Sequence, residues 1–67
     1  IQEIYEERGE AQRAIEFLEE TLKRTGNPTI RSVIYSMLAE LHEETGDPQK
    51  RLELLQTGLD EALSRMR

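Results

Sequence analysis

Six large apolar residues fall between Pro28 and Thr45: Ile30, Val33, Ile34, Met37, Leu38 and Leu41. Their spacings are 3, 1, 3, 1 and 3, which put all six on one side of an α-helix and rule out the period of 2 that a strand requires. The chain is organised around this helix. The flanking segments, each with an apolar stripe of its own, are expected to pack against it. Ile1, Ile4 and Tyr5 share a face over residues 1–8. Ala11, Ala14, Ile15, Leu18 and Leu22 make the stripe of 10–24. Leu52, Leu55, Leu59, Ala62, Leu63 and Met66 make that of 48–66.

Punctuation between the stripes sets the expected boundaries. Residues 25–28 read Thr-Gly-Asn-Pro and residues 45–48 read Thr-Gly-Asp-Pro. In each, Gly can end one helix in the left-handed conformation. Asn27 can cap the next helix, and Pro is tolerated in its first turn. Gly9 is read as a third helix end. The expected helices are therefore about 1–8, 10–24, 28–45 and 48–66, an all-α chain in which short loops make successive helices antiparallel neighbours. Gly58, inside the last helix, costs about 1 kcal/mol relative to Ala and marks a close approach of another helix. Met37 and Met66 read as gap-fillers in the core.

Sixty-seven residues form one domain. A chain this short buries only about 60% of its unfolded surface, and cores of this size rarely supply more than roughly 3–5 kcal/mol. It has no Cys for disulfides and one His, too few for a zinc site. The absence of Cys fits the cytosol. A net charge of −5 argues against nucleic acid and anionic membrane surfaces, and no apolar run approaches a membrane span. The chain opens at Ile1 in mid-pattern, without an initiator Met, and so reads as a piece of a longer or processed chain.

Chemistry-bearing groups are sparse. His42 lies among Glu40, Glu43 and Glu44, but no Ser or Cys nucleophile with an orienting partner accompanies it, and a general-base role is the weaker reading. Glu19-Glu20 and Glu43-Glu44 lack the converging oxygens of a Mg²⁺ or Ca²⁺ site and read as solvated helix faces. Gly26 and Gly46 belong to no phosphate-binding pattern. No enzymatic activity and no cofactor or metal are expected.

The three Gly turns at 9, 26 and 46 expose an internal repeat. Shifted by 37 residues, 9–22 (GEAQRAIEFLEETL) aligns with 46–59 (GDPQKRLELLQTGL), so that Ile15 meets Leu52, Leu18 meets Leu55 and Leu22 meets Leu59. Periods of this size signal arrays of helix pairs. Here the chain resembles the tetratricopeptide repeat (TPR) family, whose signature runs Trp, Leu-Gly, Tyr, then Ala, Phe and Pro. Tyr35 takes the Trp place, Leu38 the Leu place, Ala39 the small place, His42 the Tyr place and Leu55 the Phe place. Tyr5, Ala14 and Leu18 match the preceding unit. Leu63 and Gly26 stand at the two Pro places. Arg51, at the second helix's Ala place, departs most: it reaches to the surface, or the helix pair splays.

The resemblance implies a TPR-like α-solenoid fragment of about one and a half repeats, acting in protein–protein interaction. The first helix of each repeat would line a groove, here with Glu3, Glu6, Glu7, Val33, Ser36, Glu40, Glu43 and Glu44. None of these supplies the Lys, Arg and Asn with which the family clamps a ligand's carboxylates, so a basic peptide or protein is the expected partner. The alternative is a self-assembly element. One and a half repeats leave apolar faces uncovered, at Leu59, Ala62, Leu63 and Met66 and beside the stripes at Phe17 and Leu54; a homodimer would cover them, or else neighbouring repeats of a longer parent chain would.

Overall fold

The computed structural model describes residues 2–66, with side chains described for 9–66. Three helices make up the chain: α1 (Gln2–Arg24), α2 (Pro28–Glu44) and α3 (Pro48–Arg65). No strand occurs among the described residues, and no described helix is long and apolar enough to cross a membrane.

One expected boundary is absent. α1 continues through Gly9 instead of ending there. Gly permits termination but does not enforce it, and the residues after Gly9 are Glu10, Ala11 and Gln12, all good helix formers. Gly26 and Gly46 are each followed two residues later by Pro, which does enforce a restart.

The two remaining boundaries fall where expected. Asn27 caps α2: its Oδ1 accepts from the backbone N–H of Thr29 (3.0 Å) and Ile30 (3.1 Å). Asp47 caps α3, its Oδ1 accepting from the Lys50 N–H at 3.1 Å. Caps of this kind contribute about 1 kcal/mol each. At the end of α2 the Gly46 N–H donates to Glu43 O and the Asp47 N–H to His42 O, while Gly46 turns to φ +81°. This pair of bonds closes the helix end and needs the left-handed residue. Gly26 does not adopt positive φ, so the expectation that both glycines serve as left-handed terminators holds only for Gly46.

α2 packs on both neighbours, while among the described residues α1 and α3 make no backbone contact with each other. The backbone spans 49 × 23 × 12 Å, the proportions of a layer one helix thick rather than of a closed bundle. Ile15 and Leu18 of α1 meet Ile34 and Leu38 of α2 in the core, with Leu22, Leu41 and Leu54 half-buried around them. Leu38, 1% exposed, sits deepest; burying such a side chain contributes about 1.5–3 kcal/mol.

On the other side α2 meets α3 through Tyr35 and Gly58. A Cβ at Gly58 would stand 3.3 Å from Tyr35 Cβ, which is the close approach that a Gly inside this helix predicts. The stripe of α3 does not turn to α2: Leu52 and Leu55 lack the packing expected of them, while Leu59, Leu63 and Met66 lie uncovered as expected. Leu52, Leu55, Leu59, Leu63 and Met66 remain 42–82% exposed, because α3 presents Leu54, Gly58 and Glu61 to α2 instead. Met37 and Met66 are exposed as well and fill no core gap.

Candidate interaction face of the central helix

Two sets of polar side chains surround α2, one turned inward and one outward. The inward set centres on Arg31, one turn before Tyr35. Its Nε donates to Glu61 Oε1 (2.9 Å), and one terminal nitrogen donates to the carbonyls of Leu22 (2.7 Å) and Thr25 (3.0 Å). The other donates to Tyr35 Oη and Glu61 Oε2, both at 3.1 Å. All five guanidinium N–H groups are thus satisfied. The Tyr35 hydroxyl in turn donates to Glu61 Oε2. One side chain thereby joins the end of α1, the start of α2 and the end of α3.

Arg31 and Glu61 keep only a quarter or so of their side chains in water, so each charge leans on the other. The bonds from Arg31 and Tyr35 hold the Glu61 carboxyl down at about 2, against burial, which acts to raise it. Glu61 and Tyr35 hold the Arg31 guanidinium above its ordinary value. Burial, followed by the bond to Glu61, pushes the Tyr35 phenol up. Every group is consumed by another, and the cluster offers no base or nucleophile to a substrate. The sequence reading missed it. The available signal was a lone Arg at i−4 from Tyr35, on the inner side of an apolar stripe.

The outward set holds the predicted groove residues. Val33, Ser36, Glu40, Glu43 and Glu44 are all exposed on α2, whereas Glu3, Glu6 and Glu7 lie outside the residues whose side chains are described. The five do not converge on one groove. Glu40 and Glu44 line a cleft of about 290 Å³ between α1 and α2, floored by Ala14, Leu18 and Leu41 and walled by Phe17 and Met37. A second depression of about 320 Å³ shares Ala14, Leu41 and Glu44 and adds Glu10 and Ala11, so the two adjoin in a shallow trough. Ser36 opens instead on the α2–α3 side, in a cleft of about 220 Å³ with Tyr35, Leu54 and Gly58. Glu43 is engaged by Arg51, whose Nε stands 3.4 Å from its Oε2. Arg51 therefore does reach outward, and Glu43 has an opposite charge beside it.

Phe17 and Met37, 70% and 45% exposed, supply the apolar wall that the predicted set lacked. Phe17 stood beside its stripe in sequence, and its exposure follows from the layer being one helix thick. Glu40 and Glu44 enter no ion pair among the described residues. His42 is half-buried, with its Nε2 enclosed and without a hydrogen-bond partner. Among the described residues no three His, Asp or Glu side chains come together to hold a metal ion.

No protein-family model matches this chain, and neither a curated protein nor a solved structure does so.

Proposed function

We propose that this chain is a protein-interaction module of TPR-like type, taking a basic, amphipathic peptide or helix along the trough between α1 and α2. The observation that carries the reading is the trough's composition. An apolar floor and wall, built by Ala14, Leu18, Leu41, Phe17 and Met37, run beside the carboxylates of Glu10, Glu40 and Glu44. A helix with one Leu-rich face and Lys or Arg along its edge complements both. The 37-residue internal repeat and the order of packing, each helix against the next, support the TPR-like description.

Fluorescence anisotropy with a labelled Leu/Lys amphipathic peptide tests it. Glu40→Lys together with Glu44→Lys should weaken binding more than tenfold, and Phe17→Ala should weaken it too, through the lost wall. Association should slow as salt rises, because exposed charges steer the encounter. Undiminished binding by the double Lys variant would remove the trough from consideration.

A further inference from the structure

The side of α3 turned away from its Leu54, Gly58 and Glu61 contacts with α2 carries the longest exposed uncharged stripe among the described residues, and two of its members, Leu55 and Leu59, also border the cleft that α2 lines with Ser32, Tyr35 and Ser36. Leu52, Leu55, Leu59, Leu63 and Met66 are all exposed, and no charged residue falls among them on that face. Three observations bear on what covers the stripe.

The first is the internal repeat. Shifted by 37, Leu52, Leu55 and Leu59 correspond to Ile15, Leu18 and Leu22, the residues with which α1 enters the core under α2. On α1 this pattern is covered by the next helix, α2, and on α3 it is bare, so the repeat marks the stripe as a face that receives a helix. The second is the supply of matching helices. α2 has both flanks occupied, and its outer face is interrupted by Glu40 and Glu44. The exposed Phe17 of α1 is flanked by Glu16 and Glu20. Among the described residues only α3 itself offers an exposed uncharged stripe of the same length. The third is symmetry. The spacings along the stripe are 3, 4, 4 and 3, the same in both directions. An antiparallel copy centred on Leu59 sets Leu52 against Met66 and Leu55 against Leu63, and sets Leu59 against itself. Such a pair would remove on the order of 1,000 Å² from water, the lower bound for a specific interface.

We propose that α3 is the two-fold interface of a homodimer, with two α3 helices packed antiparallel about Leu59. The trough between α1 and α2 stays open in this dimer, so the proposal does not rest on peptide binding, and either can fail alone.

The chain has no Cys, which makes single-cysteine cross-linking unambiguous. The native chain should sediment at dimer mass at micromolar concentration, with a melting temperature that rises with concentration. Leu59→Glu should give a monomer that keeps its helical circular dichroism, since the position is already exposed, and should still bind the Leu/Lys peptide. Under mild oxidation Leu59→Cys should form a disulfide-linked dimer, whereas Leu52→Cys alone should not. Leu52→Cys mixed with Met66→Cys should give the cross-linked pair. A folded native monomer overturns the proposal, as does a dimer indifferent to Leu59→Glu. Cross-linking of Leu52→Cys as readily as Leu59→Cys overturns the antiparallel pairing.

Discussion

The two turns of this protein differ by one residue, Asn27 against Asp47, and end their helices by different means. After α2, Gly46 takes the left-handed conformation and the backbone closes on itself, with Gly46 and Asp47 donating to the last carbonyls. After α1, Gly26 keeps an ordinary φ. There the Asn27 N–H donates to Thr25 Oγ1 at 3.1 Å, and the carbonyls of Leu22 and Thr25 are taken by the Arg31 guanidinium. A helix end needs its orphan carbonyls satisfied, and it is indifferent to whether backbone or side chain does so. The choice lies outside the turn. A long cation one turn into the following helix replaces the glycine's special conformation at the first junction. The matching place in α3, Arg51, is drawn away to Glu43, and Gly46 is left to do the work.

If Arg31 is the device that closes the first junction, removing it should have the largest effect of any substitution at either turn. Arg31→Met keeps the length of the stem and deletes five hydrogen bonds, leaving Glu61 without its counter-ion and two helix-terminal carbonyls open. We expect a fall in melting temperature at least twice that of any Gly46 substitution. Arg31→Lys should rescue little, because an ammonium cannot span both carbonyls and the carboxylate. A melting temperature within a degree or two of the native value would show that the first turn is held by its backbone alone.

The next effect in size comes from acid. The Glu61 carboxyl is lowered from 4.5 to about 2 in the folded chain. A depressed carboxylate stabilises the fold above its unfolded pKa, and that stabilisation is lost as pH falls through the folded value. Stability should therefore drop between pH 4.5 and 2, by less than in Arg31→Met, since the bonds from Arg31 to the carbonyls persist. The Tyr35 phenol, raised above 10, has the opposite sign: its contribution is complete below pH 10 and is lost at more alkaline pH. Urea titrations of the native chain and Glu61→Gln at pH 6 and pH 3 check the acid limb. The gap between the two proteins should narrow at pH 3.

At the second junction, Gly46→Ala should cost about 1–2 kcal/mol, or roughly 5–15 °C in a domain of this size, because a Cβ opposes φ +81°. Nothing lies within 4 Å of the added carbon, so the cost is conformational rather than steric. Thermal denaturation followed by circular dichroism measures it, and a variant as stable as the native chain would mean that the turn relaxes to another closure.

The comparison also marks what the sequence could convey. Local signals were legible: the Thr-Gly-Asn/Asp-Pro punctuation, the Asn27 cap, the stripe of α2 and the close approach at Gly58 all depend on residues a few positions apart. Three readings failed because their determinants are not local. Gly9 was given the meaning of Gly46 although no Pro follows it. The stripe of α3 was expected to pack on α2 with only its end at Leu59, Leu63 and Met66 uncovered, yet Leu52 and Leu55 are exposed too, because an apolar period fixes which residues share a face and not which neighbour that face meets. Arg31 was overlooked because its partners, Leu22, Thr25 and Glu61, come from both other helices. The candidate site shows the same division. Val33, Ser36, Glu40, Glu43 and Glu44, placed on a groove by the family resemblance, are all exposed on α2, but packing sorts them, sending Glu40 and Glu44 to the trough, Ser36 to the opposite cleft and Glu43 to Arg51.

The smallest effect is expected at Gly26, and it is the most discriminating. With an ordinary φ and open space around it, Gly26→Ala should be neutral or should stabilise by up to about 0.4–1 kcal/mol, through reduced freedom of the unfolded chain. The result should reverse when Arg31 is absent. With the guanidinium gone, the carbonyls at the end of α1 need another donor, and the one within reach is the backbone closure seen at Gly46, which requires residue 26 to adopt positive φ. In the Arg31→Met background, Gly26→Ala should therefore destabilise by about 1 kcal/mol or more, the cost of a left-handed non-glycine residue. Such a sign change between backgrounds is an interaction energy that a double-mutant cycle reads directly. Additive behaviour would mean that Arg31 and Gly26 do not share the task of closing α1, and that the difference between the two turns has another origin.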